Sequence, residues 1–210
     1  MRLGVLFFVG VTAALGQTPV FFSWHQVEWE AYRDAERDLT AILHFRTSRD
    51  FSAFNTVRGS VVGRQRLTKG LVVSAGYLIQ DQEPGAGDGE WLKQQRVFAS
   101  IGRTVRQGKL RHTPRFQYDY LYDMTTAAYG RYRFAWQTEW AGRVRPYGAA
   151  EEFVERAGVQ RFRPRVGVRF AAGKYLDTDI GYIYDRIYLR GNTNRHILQT
   201  TFSFHRAGRD

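Results

Sequence analysis

The sequence predicts an all-β protein, an antiparallel up-and-down transmembrane β-barrel that follows a cleaved signal peptide. Three observations predict it. Apolar and polar residues alternate with a period of two through strand-length segments from about Val57 to Phe204. An export-type leader opens the chain. Beyond that leader no apolar run is long enough for a spanning helix, so a membrane crossing has to be made by strands.

The leader comes first. Met1-Arg2 is basic, Leu3 to Ala14 is apolar and uncharged, and Ala14-Leu15-Gly16 puts small residues where a signal peptidase reads. The run is shorter than the roughly 20 residues a spanning helix needs, which favours removal before Gln17 over anchoring. The expected division is a signal peptide over 1–16 and one barrel domain over 17–210.

The strands follow in order. Ser23–Tyr32 and Leu39–Thr47 form a hairpin around the charged turn 33–38. Thr56–Leu67 and Leu71–Gln80 form a second, joined by Thr68-Lys69-Gly70, and the polar, glycine-rich stretch 81–90 is a long loop. Trp91–Val105 and Leu110–Tyr122 flank the turn 106–109. A loop at 123–128 leads to Tyr129–Trp140, then Arg145–Val154, whose alternation is the poorest of the set. Gln160–Phe170 and Tyr175–Tyr188 pair across 171–174, and after a loop at 189–194 the strand Arg195–His205 closes the chain. This walk gives eleven strands. Single-chain bacterial barrels have an even number, which raises the expectation to twelve, with ten as the alternative.

Turn lengths assign direction. Short connections at 68–70, 106–109, 141–143 and 171–174 alternate with longer ones, the asymmetry of barrels with tight periplasmic turns and longer outer loops. Leu198, Thr200, Phe202 and Phe204 share one face of the last strand, a pattern similar to the terminal signal read by the barrel-assembly machinery.

Leu110–Tyr122 shows what alternation implies. Leu110, His112, Pro114, Phe116, Tyr118, Tyr120 and Tyr122 fall on one face; Arg111, Thr113, Arg115, Gln117 and Asp119 fall on the other, with Leu121 the exception. In a membrane barrel the apolar face meets lipid and the polar face lines the lumen. A soluble lipid-binding barrel reverses this, burying Tyr118, Trp136, Val166 and Ile180, and periodicity does not separate the two. Aromatic banding favours the membrane. Tyr120, Tyr122, Tyr182 and Tyr184 are expected near outer ends and Trp140, Phe202 and Phe204 near inner ends, with Phe116, Tyr118 and Trp136 also facing lipid.

Composition agrees with this class. The chain has no cysteine, 15% aromatics and a net charge of +11. Such a charge usually points to nucleic acid, but the arginines alternate with apolar residues inside strands and export separates the chain from nucleic acid. No nucleic-acid partner is expected. The expected partners are outer-membrane lipid, the assembly machinery and small anionic solutes.

The order of motifs resembles a bacterial outer-membrane-like family, called domain of unknown function 2490. The carrying residues are Trp24, Leu39 to Arg46, Val73-Ser74-Ala75-Gly76-Tyr77, Gln94-Gln95-Arg96 and Arg111 to Phe116. Arg131-Tyr132-Arg133, Glu151-Glu152-Phe153, Arg165-Val166-Gly167-Val168 and Gly181-Tyr182-Ile183-Tyr184 complete the set. The resemblance covers essentially the whole mature chain. It implies an outer-membrane barrel and carries no activity with it.

Opposition to the apolar face assigns the lumen. It receives Arg46, Arg58, Arg64, Arg66, Arg96, Arg111, Arg115, Arg131, Arg133, Arg163, Arg165 and Arg169, with Asp119, Glu139, Glu151, Asp177, Asp179 and Asp185. Charges enclosed in a barrel must pair or face water. Two functions remain open: a basic track that attracts anionic solutes such as acidic sugars or phosphates, and a salt-bridged interior that fills a closed structural barrel. A third, an outer-membrane lipid hydrolase, rests on Ser203 and His205 at i and i+2, without a third member. Catalysis is not expected. No histidine–carboxylate spacing suggests a metal and no glycine loop a dinucleotide, so no cofactor is expected.

Overall fold

Alternation over segments of 11–15 residues, longer than the roughly 9–11 a tilted strand needs to cross a bilayer, builds a continuous wall. The computed structural model describes residues 20–47, 54–68, 70–82, 92–123, 128–156, 158–188 and 193–206. The leader and parts of the longer loops lie outside the described residues. The strands are β1 (Val20–Arg33), β2 (Arg37–Thr47), β3 (Phe54–Thr68), β4 (Leu71–Gln82), β5 (Leu92–Arg103) and β6 (Val105–Gln107). They continue with β7 (Leu110–Asp123), β8 (Tyr129–Trp140), β9 (Val144–Glu155), β10 (Gly158–Ala171), β11 (Leu176–Ile187) and β12 (Thr193–Phe204).

One sheet contains them all, and it closes on itself through β5 and β7. The described residues thus form twelve strands. β6, three residues long, continues the line of β5 along the same edge of β7, so the ring itself has eleven staves. Eleven alternating directions cannot close with every neighbour antiparallel. The odd pair is β1 and β12, which run parallel from Val20↔Arg195 to Trp29↔Phe204, while every other pairing is antiparallel.

The expected strand Trp91–Val105 is interrupted at Thr104. There the Thr104 amide donates to the Gly70 carbonyl at 2.8 Å, at the end of the β3–β4 turn. Gly70 has φ +78°, and a Cβ on it would stand 2.3 Å from the Thr104 carbonyl oxygen. Past this point β4 offers no further partner, and β6 pairs with β7 alone as a hairpin extending beyond the turn-end rim.

The outer surface is apolar. Tyr118 (38% exposed), Trp136 (53%), Val166 (48%) and Ile180 (50%) all point outward, which overturns the soluble barrel with its apolar face inside. Phe116 stacks on Tyr132 and packs at a tilt against Phe134 on the same surface. Inside, Trp24, Ile183 and Ile197 form a small apolar cluster, and Val62, Leu78, Leu121, Phe153 and Ile187 are also buried, in an interior whose other buried side chains are polar. Tyr147 projects inward from β9 over Gly167 and Gly181, where added Cβ atoms would lie 2.5 and 2.8 Å from its hydroxyl. The poorly alternating segment that becomes β9 is therefore held by a side chain that needs two glycines opposite it.

Candidate functional site: the interior arginine belt

Three cavities stack along the barrel axis. The one at the long-loop end has a volume of about 450 Å3 and is bordered by Asn55, Gln82, Gln94 and Tyr129. The middle one has about 410 Å3. The one at the tight-turn end has about 400 Å3 and is bordered by Arg66, Arg111, Arg145 and His205. Trp24, Arg46, Arg58, Arg96, Arg133 and Arg163 border both the loop-end and middle cavities, forming a belt between them. Gln26, Glu28, Arg64, Arg165 and Gln199 divide the middle from the turn-end cavity.

Every residue assigned to the lumen by alternation sits on the interior face. Asp119 and Glu139 lie behind the cavity walls, fully buried, and the others border the open space. Asp119 joins Arg96 (3.4 Å), Arg131 (2.8 Å) and Arg133 (3.6 Å). Glu151 joins Arg115 (3.0 Å), Arg133 (3.8 Å) and Arg163 (3.7 Å), and Asp185 joins Arg161 (3.4 Å) and Arg163 (3.3 Å). Toward the turn end, Glu139 pairs with Arg111 and Arg169, Asp179 with Arg169, and Asp177 with Arg145. Arg64 and Arg66 grip Asp38, each at 2.9 Å. The charged turn at 33–38 gives way to strand at Arg37, and Asp38 lies within β2 with its side chain inward.

Aromatic rings organise the cations further. The buried Phe153 ring has the guanidiniums of Arg131, Arg133, Arg161 and Arg163 within 4.8–5.7 Å of its centroid. Ring quadrupoles attract cations, and so this phenylalanine offsets part of the repulsion among four arginines. Tyr147 donates to Asp179 at 2.7 Å and lies beneath Arg165 and Arg169.

Arg46 and Arg58 differ from their neighbours. Among the described residues neither has a carboxylate within salt-bridge distance. Arg58 donates twice to the Gln80 amide oxygen, at 3.0 and 2.6 Å, and Arg46 lies 4.1 Å above the Trp24 ring. The Nε atoms of Arg46, Arg96 and Arg133 are buried without a hydrogen-bond partner. A buried guanidinium short of acceptors costs free energy until an acceptor arrives.

Gln160 is an interior residue that regular alternation assigns to the outer face. A bulge between Val159 and Arg161 turns Gln160 inward, so Gln160 and Arg161 both border the loop-end cavity although they are consecutive. Its Nε2 donates to the Gly158 carbonyl at 3.0 Å, while its Oε1 is buried without a donor.

On the outer surface Phe116, Tyr118, Tyr120, Tyr122, Trp136, Trp140, Phe202 and Phe204 are exposed. Tyr182 and Tyr184 are half-buried beneath the His196 ring, and the Tyr182 hydroxyl is hydrogen-bonded to His196 Nδ1. Tyr182 is paired with Leu198 in the middle of β11 rather than near an outer end. Ser203 and His205 face inward, and the Ser203 hydroxyl donates to Glu28 at 2.8 Å instead of engaging His205. His205 lies 3.5 Å from Asp177 and 3.8 Å from Glu30.

No family model matches the chain, and no curated protein matches it. Among solved structures it is similar to the translocator domain of the autotransporter NalP from Neisseria meningitidis, at 13% identity and a TM-score of 0.41, over 74% of this chain and 70% of that one.

Proposed function

We propose that this barrel resides in the bacterial outer membrane and acts as a small channel or transporter-like conduit whose interior favours anionic solutes. The observation that carries the reading is the belt of Arg46, Arg58, Arg96, Arg133 and Arg163 between two stacked cavities. Fixed positive charge with low-dielectric walls raises the local concentration of anions and repels cations. The aromatic exterior is the face offered to outer-membrane lipid, and the last strand the segment offered to the assembly machinery. Tight turns then face the periplasm and longer loops the outside.

One observation favours a closed structural barrel instead. Arg165 donates to Gln199 at 3.2 Å and to Gln137 at 3.4 Å, linking β12 to β8 across the space between the middle and turn-end cavities. Planar-bilayer recordings on refolded protein separate the two. Discrete anion-selective steps, weakened by Arg163→Glu, support the conduit. Silence from protein shown to be folded and inserted supports the closed barrel.

A further inference from the structure

We infer that the loop-end cavity is a saturable binding site for a carboxylated sugar, a uronate or a short oligomer of one. The inference rests on the anion-favouring reading above and narrows it to one site and one ligand class.

The site needs two kinds of ligand group at once. On one wall, Arg46 and Arg58 lack carboxylate partners among the described residues, and Arg46 keeps a buried Nε–H without an acceptor. A carboxylate supplies paired acceptors in the geometry a guanidinium prefers. On the opposite wall, four strands around the ring from Arg46 and five from Arg58, Gln160 presents a buried Oε1 that lacks a donor. Inorganic phosphate brings acceptors but is poorly suited to donate there. A polyhydroxylated carboxylate carries both groups on one molecule. Gln82 and Gln94 add neutral amides on the Arg58 side of the same space, the side chains that best match hydroxyls of either role.

Size agrees. The cavity of about 450 Å3 falls in the range of about 300–1,000 Å3 typical of small-molecule sites. The inward turn of Gln160 also gains a reason, because the bulge sets an acceptor opposite the arginines that regular alternation would have turned to the outer surface.

The test is isothermal titration of the refolded, detergent-solubilised barrel with glucuronate and digalacturonate, against maltose and inorganic phosphate. The expected result is saturable binding of the uronates and none of maltose or phosphate. Arg58→Gln and Arg46→Gln should each weaken uronate binding about tenfold or more. Gln160→Leu should weaken it less. Phosphate binding as tightly as uronate, or no saturable uronate binding, overturns the proposal. Because the ligand series is run on the unaltered protein, a variant that fails to fold does not remove the test. Conductance measured on the same preparation keeps the two readings apart. Uronate binding without anion-selective conductance leaves the site and removes the conduit, and anion selectivity without uronate binding does the reverse.

Discussion

The guanidinium of Arg163, on β10, lies 4.9 Å from the ring centroid of Trp24, on β1, three staves away around the wall. The same guanidinium is held by Glu151 and Asp185 and lies 4.9 Å from Phe153. The belt between the loop-end and middle cavities is thus spanned by an arginine fixed from its own side and a tryptophan reaching from the other. Trp24→Leu is expected to enlarge single-channel conductance without reversing ion selectivity, since Arg46 and Arg163 remain. Unchanged conductance would mean that this pair does not limit ion flow.

Asp119 is the common acceptor of Arg96, Arg131 and Arg133 and is fully buried. Asp119→Asn leaves three enclosed cations short of one negative charge. Breaking a buried pair from one side costs about 3–5 kcal/mol. Denaturant unfolding of the vesicle-inserted variant should show a loss of that order, and a loss below about 1 kcal/mol would mean the arginines are solvated rather than paired.

Gly181 and Tyr147 should behave as a coupled pair. A methyl group at 181 would lie 2.8 Å from the Tyr147 hydroxyl, so Gly181→Ala is expected to destabilise by about 1–3 kcal/mol. Tyr147→Phe removes the obstructing oxygen and also the bond to Asp179. The double variant should therefore be more stable than the sum of the single losses implies. Simple additivity in a denaturation cycle would argue that the ring moves aside instead.

The β1–β2 turn has an acid-side dependence. Asp34, fully exposed, accepts from the Tyr32 hydroxyl and from the amides of Arg37 and Glu36, in that order of influence, and these bonds hold its carboxyl below the usual carboxylate range. A group with a lowered pKa contributes above its unfolded pKa and loses that contribution as pH falls through the folded one. NMR titration of the Asp34 carboxyl should show the depressed midpoint. The stability difference from Asp34→Asn should shrink toward acid, and a difference that grows on acidification would refute the assignment.

Much of the fold was legible because a strand's side-chain period is fixed by covalent geometry. Once Phe116 and Tyr118 are outside, Arg115, Gln117 and Asp119 must be inside, and the structure places them there. What escaped was whatever breaks that period or depends on partners distant in sequence. The Gln160 bulge adds a residue and reverses a face. The interruption at Thr104 depends on where the neighbouring β3–β4 turn ends, which the 91–105 segment does not encode by itself. Trp24 and Phe153 are apolar residues on the charged face, where a rule based on polarity looks only for polar ones. Their role comes from the guanidiniums above them. The parallel closure follows from the parity of the whole ring, and no single strand carries it.

That closure also decides at which mouths the first strand starts and the last strand finishes. β1 starts beside Arg195, at the mouth carrying the longer loops, and β12 finishes beside Trp29 and Leu176, at the mouth carrying the tight turns. Fluorophores attached at Val20 and at Arg206 should accordingly report to opposite compartments, one quenched by an impermeant reagent added outside sealed vesicles and the other protected. An even-staved barrel would present both to the same side.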